Sequence, residues 1–388
     1  MIASLAECRY DARNHCTFGG PVSSTAASST PLKAAVIGIG WAGQQHVKAY
    51  QAMPGVELVA IAEPNATLLD QVQKEYGVPK GYSDFRDLLK IEKPDLVSVG
   101  TPNFAHAEPA IASLDSGAHV LVEKPLARTY LEGRSMVDAA IRNDRVLQVT
   151  FNQRYRQDVQ TVKRFVDEGR MGEIYHAKSR WLRRDGIPGR GRKWFVSKEL
   201  AGGGPLIDLG VHMLDMALYI MGEPEVEAVS GAAYNRLGQR FVTEIYGEEA
   251  VYEVEDFASS FIRLAGGRTL QLEASWATYR ENGDLINMTI FGENAGAELT
   301  SKNYQTQGAV RFYVDAAGVP SEIVPEIPSG ANSKPGHLIV AEQFVERVRS
   351  GAYDQFRGQE GLLRTWIIDA IYRSAAEGRE IKLSELKE

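Results

Sequence analysis

Lys124 is the residue whose position in the sequence first suggests chemistry. It follows residues 119–122, whose composition is typical of a buried strand, and it lies between Glu123 and Pro125. Proline cannot continue a hydrogen-bonded ladder, so the strand is expected to end here. Because open α/β sheets bind ligands at the carboxyl ends of their strands, the ammonium group of Lys124 is predicted to face a ligand.

Asp208 and His212 form a second polar pair. A run of three glycines precedes residues 206–221, which are apolar nearly all round and are typical of a buried helix. A spacing of four residues places Asp208 and His212 on one face of that helix. Since histidine exchanges protons near neutral pH, the pair could be a general base with its orienting carboxylate. It could also be a structural pair in the core, or part of a solvated stripe with Asp215 and Tyr219.

A glycine-rich turn near the start of the chain predicts what Lys124 would face. Residues 34–37 are typical of a short buried strand, and they run directly into GIGWAG and then a helix. Glycines at the first, third and sixth positions permit a tight turn, close approach of the backbone to a pyrophosphate, and close helix packing. The free amides of the helix would face the phosphates. The predicted cofactor contacts here are Gly38, Ile39, Gly40, Trp41, Ala42 and Gly43.

Glu63 indicates which dinucleotide is bound. It ends a second predicted strand, residues 57–62, and lies twenty residues after Gly43. A carboxylate at this point accepts hydrogen bonds from the adenosine ribose and repels a 2′-phosphate. Because no arginine follows it closely, the sequence favours NAD over NADP. The alternative for the whole segment is an ordinary strand-to-helix turn.

The elements around these residues alternate between strand and helix. Strand-like segments at residues 57–62, 95–100, 119–122 and 146–150 are separated by segments in which apolar residues recur at helical spacing. Asn65, and Thr129 with Glu132, are predicted helix caps, the last two as a capping box. Strict alternation predicts a parallel sheet with helices on both faces. This first domain is expected to close near Asn152.

These motifs together resemble the Gfo/Idh/MocA family of glucose-fructose oxidoreductases and inositol dehydrogenases. The resemblance extends from about Lys33 to the carboxyl terminus, and its most specific part is Glu123-Lys124-Pro125. It implies an α/β protein with a Rossmann domain and then an α/β domain built on a large, open, mostly antiparallel sheet. It also implies a lysine beside the nicotinamide, commonly followed by a cis peptide bond to proline, with the aspartate-histidine motif opposite. The cofactor residues that it adds are Thr101, Pro102, Asn103, His106, Glu123 and Lys124.

A dehydrogenase mechanism follows from the residues and the resemblance together. His212 would accept the alcohol proton, Asp208 would hold the imidazole tautomer, and Lys124, paired with Glu123, would stabilise the alkoxide. NAD would accept the hydride. The expected substrate is a secondary alcohol of a sugar, sugar derivative or inositol-like polyol. Two alternatives stay open: a glycoside-cleaving enzyme that retains NAD and oxidises its substrate transiently, and a non-catalytic dinucleotide-binding sensor.

A basic, glycine-rich segment at residues 183–195 offers candidate substrate contacts. Trp194 could present an aromatic face to a sugar ring while Arg192 contacts its hydroxyl groups. The arginines could instead bind a carboxylate or phosphate, or the segment could be a surface crossing or a subunit contact. The predicted substrate site consists of Lys124, Arg192, Trp194, Asp208 and His212.

Composition limits the class of protein. The 388 residues are 44% apolar and 24% charged, with a net charge of −7. This charge gives no support for a nucleic-acid partner, and no apolar run approaches the ~20 residues of a membrane span. A soluble cytoplasmic protein is therefore expected. The two cysteines, Cys8 and Cys16, match no common zinc or redox signature, and no metal is predicted.

The chain is long enough for two domains. We predict a disordered tail over residues 1–31, a Rossmann NAD-binding domain over 32–153, and an α/β domain over 154–388. The last would bind substrate and form a dimer or tetramer through its sheet. Two amphipathic helices near the carboxyl terminus are expected to pack against it. Trp276, Tyr279 and Phe261 are candidates for either an interface or the core, and His337 for either a structural or a pocket residue.

Overall fold

The structure, a computed structural model, describes residues 30–188, 192–327 and 334–386. The predicted tail lies outside the described residues apart from its last two. The first part of the described chain contains β1 (Leu32–Ile37), α1 (Trp41–Gln51), β2 (Val56–Ala62), α2 (Ala66–Tyr76), β3 (Lys80–Tyr82), α3 (Phe85–Glu92), β4 (Leu96–Val99), α4 (Ala107–Asp115), β5 (His119–Val122), α5 (Tyr130–Arg142) and β6 (Leu147–Val149).

The first sheet is parallel throughout, with strand order β3-β2-β1-β4-β5-β6. Its central strands are short apolar runs that are buried along most or all of their length, as expected for a sheet covered by helices on both faces. The strand order reverses between β1 and β4. Such a reversal opens a crevice at the carboxyl ends of the strands, where dinucleotides bind. The prediction of a Rossmann-type sheet is confirmed.

The helix caps around the first sheet form largely where the sequence predicts them. Asn65 caps α2 through its side-chain oxygen, as predicted, and Asp84 caps α3 in the same way. Thr129 caps α5 by accepting the backbone N–H of Glu132. The carboxylate of Glu132, however, accepts the backbone N–H of Arg128, so only half of the predicted capping box forms.

The second part of the chain forms one large sheet with its own helices. It contains α6 (Gln157–Asp167), β7 (Ile174–Arg183), α7 (Lys198–Ala201), α8 (Val211–Ile220), β8 (Val226–Tyr234), α9 (Gly238–Tyr246), β9 (Phe257–Leu264), β10 (Arg268–Ser275), β11 (Asp284–Gly292), β12 (Ala295–Lys302), β13 (Val310–Ala316), β14 (Val319–Ile323), α10 (Gly336–Ser350), α11 (Gln359–Glu377) and β15 (Ile381–Lys382).

The strand order of this sheet is β14-β13-β12-β11-β7-β10-β9-β8-β15. All of its described pairings are antiparallel except that of β7 with β10, which confirms the mostly antiparallel sheet. Alternate residues of β9, such as Ile262, are buried in the core, while Phe257 and Phe261 on its other face are half-buried. The sheet therefore has one covered face and one more open face.

The helix α10 departs from the prediction. Its apolar residues Val340, Phe344 and Val348 pack in one cluster with Val36 of β1 and Tyr50 of α1. The helix thus covers a face of the first sheet, and the prediction that it packs against the second domain is wrong. Helical spacing shows that a helix has a buried stripe, but it does not show which surface that stripe meets.

No described helix is long and apolar enough to cross a membrane. Within the same residues, no cluster of three or more histidine, cysteine or acidic side chains is arranged to hold a metal ion.

Candidate active site

A cavity of about 1100 Å³ opens at the carboxyl ends of β1, β4 and β5 and reaches the second sheet. It brings together fifteen of the seventeen predicted site residues. Those lining it are Gly38, Gly40, Trp41, Ala42, Glu63, Thr101, Pro102, Asn103, His106, Glu123, Lys124, Arg192, Trp194, Asp208 and His212. The other two, Ile39 and Gly43, belong to the glycine turn but do not line the cavity.

The glycine turn has the shape that a dinucleotide requires. Gly38 has a φ of 78°, and a Cβ there would lie 2.7 Å from the backbone nitrogen of Thr101. A Cβ on Gly43 would lie 2.0 Å from the carbonyl oxygen of Gly38, whereas one on Gly40 would meet open space. No side chain caps the start of α1, so its amides are available to a pyrophosphate. These residues fit the adenosine and diphosphate half of NAD.

Glu63 lies at the end of β2 with its carboxylate fixed in the crevice. One oxygen accepts the backbone N–H of Ile39 at 3.3 Å and the other that of Asn65 at 3.1 Å. Arg86 of α3 also lines the cavity, although it follows Glu63 by twenty-three residues and was not predicted there. Its guanidinium pairs with Asp84 and Glu108, and these carboxylates compete with a 2′-phosphate for it.

Lys124 and Asp208 meet across the cavity. Lys124 Nζ lies 2.8 Å from Oδ1 of Asp208 and 3.2 Å from its backbone oxygen. The other carboxylate oxygen of Asp208 accepts the indole N–H of Trp276 at 3.0 Å. Burial opposes ionisation of Asp208, but Lys124 nearby, helped by Arg183 and Trp276, holds the pKa of its carboxyl below the ordinary value. Asp208 is therefore a carboxylate that positions the lysine.

Glu123 does not pair with the Lys124 ammonium, and that prediction is wrong. Its Oε1 lies 2.9 Å from Nε2 of His46 and 3.4 Å from Nε2 of His337. Its Oε2 accepts the backbone N–H of Lys124 at 3.3 Å. Successive side chains of an extended segment point to opposite sides, so Glu123 points toward α1 and α10 while Lys124 points toward Asp208.

His212 lies on the same cavity wall as Asp208, but no hydrogen bond joins them, so the prediction that Asp208 holds the imidazole tautomer is wrong. The oxygens of Asp208 are engaged by Lys124 and Trp276, and Nδ1 of His212 is buried without a hydrogen-bond partner among the described residues. Residues 206–210 form a π-helical turn before α8, which changes the angular spacing that an α-helix would give. Burial, together with the Lys124 ammonium, lowers the pKa of His212 to about 3. Its imidazole is therefore neutral at physiological pH.

The loop at residues 101–106 uses its side chains to hold the cavity wall. His106 has Nδ1 2.8 Å from the carbonyl oxygen of Pro125 and Nε2 2.9 Å from that of Thr101. Asn103 donates its amide to the carbonyl oxygen of Ala201 at 2.9 Å, joining this loop to α7. The Lys124–Pro125 peptide bond is cis, as the family resemblance implied. These side chains hold the loops around Lys124 in place.

One side of the cavity is aromatic. Trp194 is half-buried and stacks on Phe195 with ring centroids 3.8 Å apart, while Arg192 is exposed at the rim. Arg183 is bound by Asp284 through two contacts of 2.7 and 3.2 Å. Residues 189–191 of the predicted basic segment lie outside the described residues.

Two side chains that line the cavity, Trp181 and Tyr304, are not among the predicted site residues, whereas His337, left open between a structural and a pocket role, does line it. Trp181 comes from β7 and Tyr304 from the turn after β12, while His46 of α1 does not line the cavity but contacts Glu123. Trp276, considered for an interface, is fully buried and bonded to Asp208. His46, three residues after the glycine motif, had a usable signal. Tyr304 had none, because the turn that carries it joins two strands that were not predicted.

The fold and this cavity define a class of protein: an oxidoreductase that uses a dinucleotide. Residues 32–151 match the family model described as "Oxidoreductase family, NAD-binding Rossmann fold", and residues 159–298 match the "GFO/IDH/MocA C-terminal domain". The chain belongs to the Gfo/Idh/MocA family. The predicted family, Rossmann domain, NAD cofactor and dehydrogenase class are confirmed.

Curated relatives and solved structures agree with this assignment. The chain is 33% identical over 362 residues to a D-glucoside 3-dehydrogenase of Escherichia coli, covering 92% of this chain and 99% of the relative. It is 30% identical over 382 residues to a levoglucosan dehydrogenase of Pseudarthrobacter phenanthrenivorans, covering 89% and 96%. A solved levoglucosan dehydrogenase in complex with NADH superposes with a TM-score of 0.80 at 26% identity, covering 91% of this chain and 99% of that one.

Proposed function

We propose that this protein oxidises a secondary hydroxyl group of an uncharged sugar, in particular a glucoside or related pyranose, with NAD as hydride acceptor. The observation that carries the proposal is the Lys124–Asp208 pair beside the neutral imidazole of His212, on the wall of a cavity that also fits NAD. The glucoside and levoglucosan dehydrogenases among its relatives support the choice of substrate class.

Lys124 stabilises the oxygen of the reacting alcohol. An ammonium group has three donors, and two of them reach the carboxylate and the backbone oxygen of Asp208. The third is left for the substrate. As the hydroxyl loses its proton, the fixed positive charge stabilises the developing alkoxide.

His212 accepts the hydroxyl proton. Its pKa of about 3 keeps the imidazole unprotonated, so it can take up a proton at physiological pH. The same low pKa makes it a weak base, so the reaction depends on the ammonium of Lys124 to acidify the bound hydroxyl. Bound NAD supplies the acceptor for the hydride. The aromatic side of the cavity, with Trp194 stacked on Phe195, offers an apolar face to the sugar ring.

The charges around the substrate favour an uncharged sugar. Lys124 is paired with Asp208, and Arg183 with Asp284. Among the described residues on this side of the cavity, Arg192 is the one cation without a carboxylate partner, and it is exposed. A site for a carboxylate or phosphate substrate would instead be expected to hold an unpaired arginine against the ligand, where it can form two hydrogen bonds to the anion.

The test is NADH formation by the purified protein with NAD and a panel of glucosides, levoglucosan, aldoses, inositols and uronates. We expect turnover on an uncharged pyranose, with a loss of ~10²–10⁴-fold in Lys124→Ala and in His212→Asn. Lys74→Ala, on the exposed side of α2 and outside the cavity, is the matched control and should retain activity.

Other outcomes would contradict the proposal. Turnover on uronates alone would mean that the substrate is anionic. Release of an aglycone with no net NADH would identify the glycoside-cleaving alternative, and NAD binding without turnover on any sugar would identify the sensor.

We further propose that copies of the chain associate through the open face of the second sheet. Phe257 and Phe261 on that face are only half-buried within one chain. Light scattering of the purified protein should give the mass of a dimer or tetramer. The mass of a single chain would contradict this.

A further inference from the structure

We propose that Glu123 makes the cavity select the oxidised cofactor over the reduced one. The proposal rests on the function proposed above, because it takes the nicotinamide to lie beside Lys124, where hydride transfer occurs. It goes beyond that function because it concerns how strongly two forms of the cofactor bind. NAD⁺ carries a positive charge on the nicotinamide, and NADH does not.

The Glu123 carboxylate is buried, and its three side-chain contacts are all with nitrogen donors. It is 7% exposed, lines the cavity and follows directly on β5. Its three contacts are Nε2 of His46 at 2.9 Å, Nε2 of His337 at 3.4 Å and the backbone N–H of Lys124 at 3.3 Å. Hydrogen bonds to a carboxylate favour its charged form. Glu123 is thus held as an anion in a water-poor part of the site.

The two imidazoles can fill this role without carrying charge. The amide nitrogen of Asn152 lies 3.3 Å from Nδ1 of His337, so Nδ1 can accept and Nε2 can donate to Glu123. His46 is fully buried, and its Nδ1 has no partner among the described residues. No described acceptor is therefore present for a second ring proton. One proton on each Nε2 satisfies every contact of the carboxylate.

The other charges at this end of the cavity cancel in pairs. Lys124 lies 2.8 Å from Asp208, and Arg183 lies 2.7 Å from Asp284. Among the described residues at this end, Glu123 has no lysine or arginine side chain within ion-pair distance, and Arg192 is exposed to solvent. A site with one uncompensated buried negative charge binds a cationic ring more strongly than the same ring without charge.

The nicotinamide must come close to this carboxylate. The glycine turn after β1 and Glu63 after β2 hold the diphosphate and the adenosine ribose at one end of the crevice. The remaining half of the dinucleotide has to extend along the strand ends past β4 toward β5, which ends at Glu123 and Lys124. An oxygen bound by Lys124 also requires the hydride acceptor beside it.

The experiment compares dissociation constants for NAD⁺ and NADH, measured by calorimetry without sugar. Glu123→Gln removes the charge and keeps the size of the side chain. It is expected to weaken NAD⁺ binding by about tenfold and to change NADH binding by less than about threefold. A tenfold change in the ratio of the two constants raises the midpoint potential of the bound cofactor by about 30 mV.

Two further variants separate charge from geometry. Glu123→Asp keeps the charge but shortens the side chain, so it should keep a ratio of NADH to NAD⁺ dissociation constants near that of the unmodified protein. Glu63→Gln is the matched control at the other end of the same cavity. It should weaken both forms by the same factor, because the adenosine ribose is identical in NAD⁺ and NADH.

Three results would overturn the proposal. They are equal weakening or loss of both forms in Glu123→Gln, an unchanged ratio, and a shift in Glu123→Asp as large as that in Glu123→Gln. The last would mean that the carboxylate positions the loop and that its charge has no separate effect. Because no sugar is present, failure of the substrate proposal would appear only in the turnover panel and would leave these binding ratios unaffected.

Discussion

The surroundings of His212 change its pKa strongly. Burial removes the water that would solvate an imidazolium, and the Lys124 ammonium adds like-charge repulsion, so the pKa of His212 falls from its ordinary 6.5 to about 3. Asp208, in the same wall, has its pKa lowered because Lys124 pairs with it. One lysine therefore keeps a carboxylate ionised and an imidazole neutral, which is the pair of states that the proposed chemistry needs.

The pH dependence of the reaction should reflect the lowered pKa of His212. Because the active form of His212 is unprotonated and its pKa is lowered, that form persists as the pH falls from 8 toward about 4. The acid limb of kcat/KM, which reports the free enzyme, is expected well below pH 6. The measurement is a pH-rate profile on the best substrate of the panel. An acid limb with an apparent pKa near 6.5, the ordinary value of a solvent-exposed histidine, would show that the imidazole is not buried as described.

At the scale of elements, the start of the helix that carries Asp208 is set by a distant carboxylate. Glu255, just before β9, accepts the backbone N–H groups of Gly204 and Leu206, each at 3.0 Å, and the hydroxyl of Tyr372 at 2.9 Å. These N–H groups would otherwise be unsatisfied at the helix start. Burial raises the pKa of Glu255, and its hydrogen bonds oppose that rise. The glycine run thus permits close approach of the helix start to β9.

Gly204→Ala tests this arrangement. A Cβ at Gly204 would lie 2.1 Å from the backbone oxygen of Glu255, so the helix start must shift and carry Asp208 with it. A displacement of about 1 Å in a reacting group costs ~10²-fold, and we expect a loss of that order in kcat/KM. The NADH dissociation constant should change much less, since the glycine turn is remote.

The control for this change is Gly296→Ala in β12. A Cβ there has no neighbour closer than 3.7 Å, so activity and thermal stability should be retained. Normal kinetics in Gly204→Ala would show that the close approach has no bearing on catalysis.

At the scale of the whole molecule, a buried ion network joins the two sheets. Asp215 of α8 is bound by Arg154, which follows β6, and by Arg364 of α11. Glu223 lies 2.6 Å from Arg364, and Glu360 lies 2.6 Å from Arg154. The network connects the end of the Rossmann sheet to the helices that cover the second sheet. Asp215 is therefore part of the core, and the solvated-stripe interpretation does not hold for it.

Removing one member should destabilise the protein strongly. Asp215→Asn leaves two buried guanidinium groups short of a carboxylate, and we expect a loss of about 3–5 kcal/mol in the free energy of unfolding. The control is Asp138→Asn, which breaks the exposed pair with Arg134 and should cost at most about 1 kcal/mol. Denaturant titration of both variants is the measurement. Equal stability of the two would mean that the network contributes nothing beyond a surface ion pair.

The Rossmann half and most of the candidate reactive residues can be predicted from the amino-acid sequence. Strand ends, the glycine turn, Glu63 and the Glu-Lys-Pro motif depend on local backbone chemistry, and strands that end together in a parallel sheet bring their following residues to one edge. Which of these residues meet depends on how the elements pack in three dimensions. Lys124 and Asp208 are eighty-four residues apart, and Glu123, His46 and His337 come from three separate segments. Spacing along the chain fixes the face on which a side chain lies, but its partner depends on how independent surfaces pack, as the position of α10 shows.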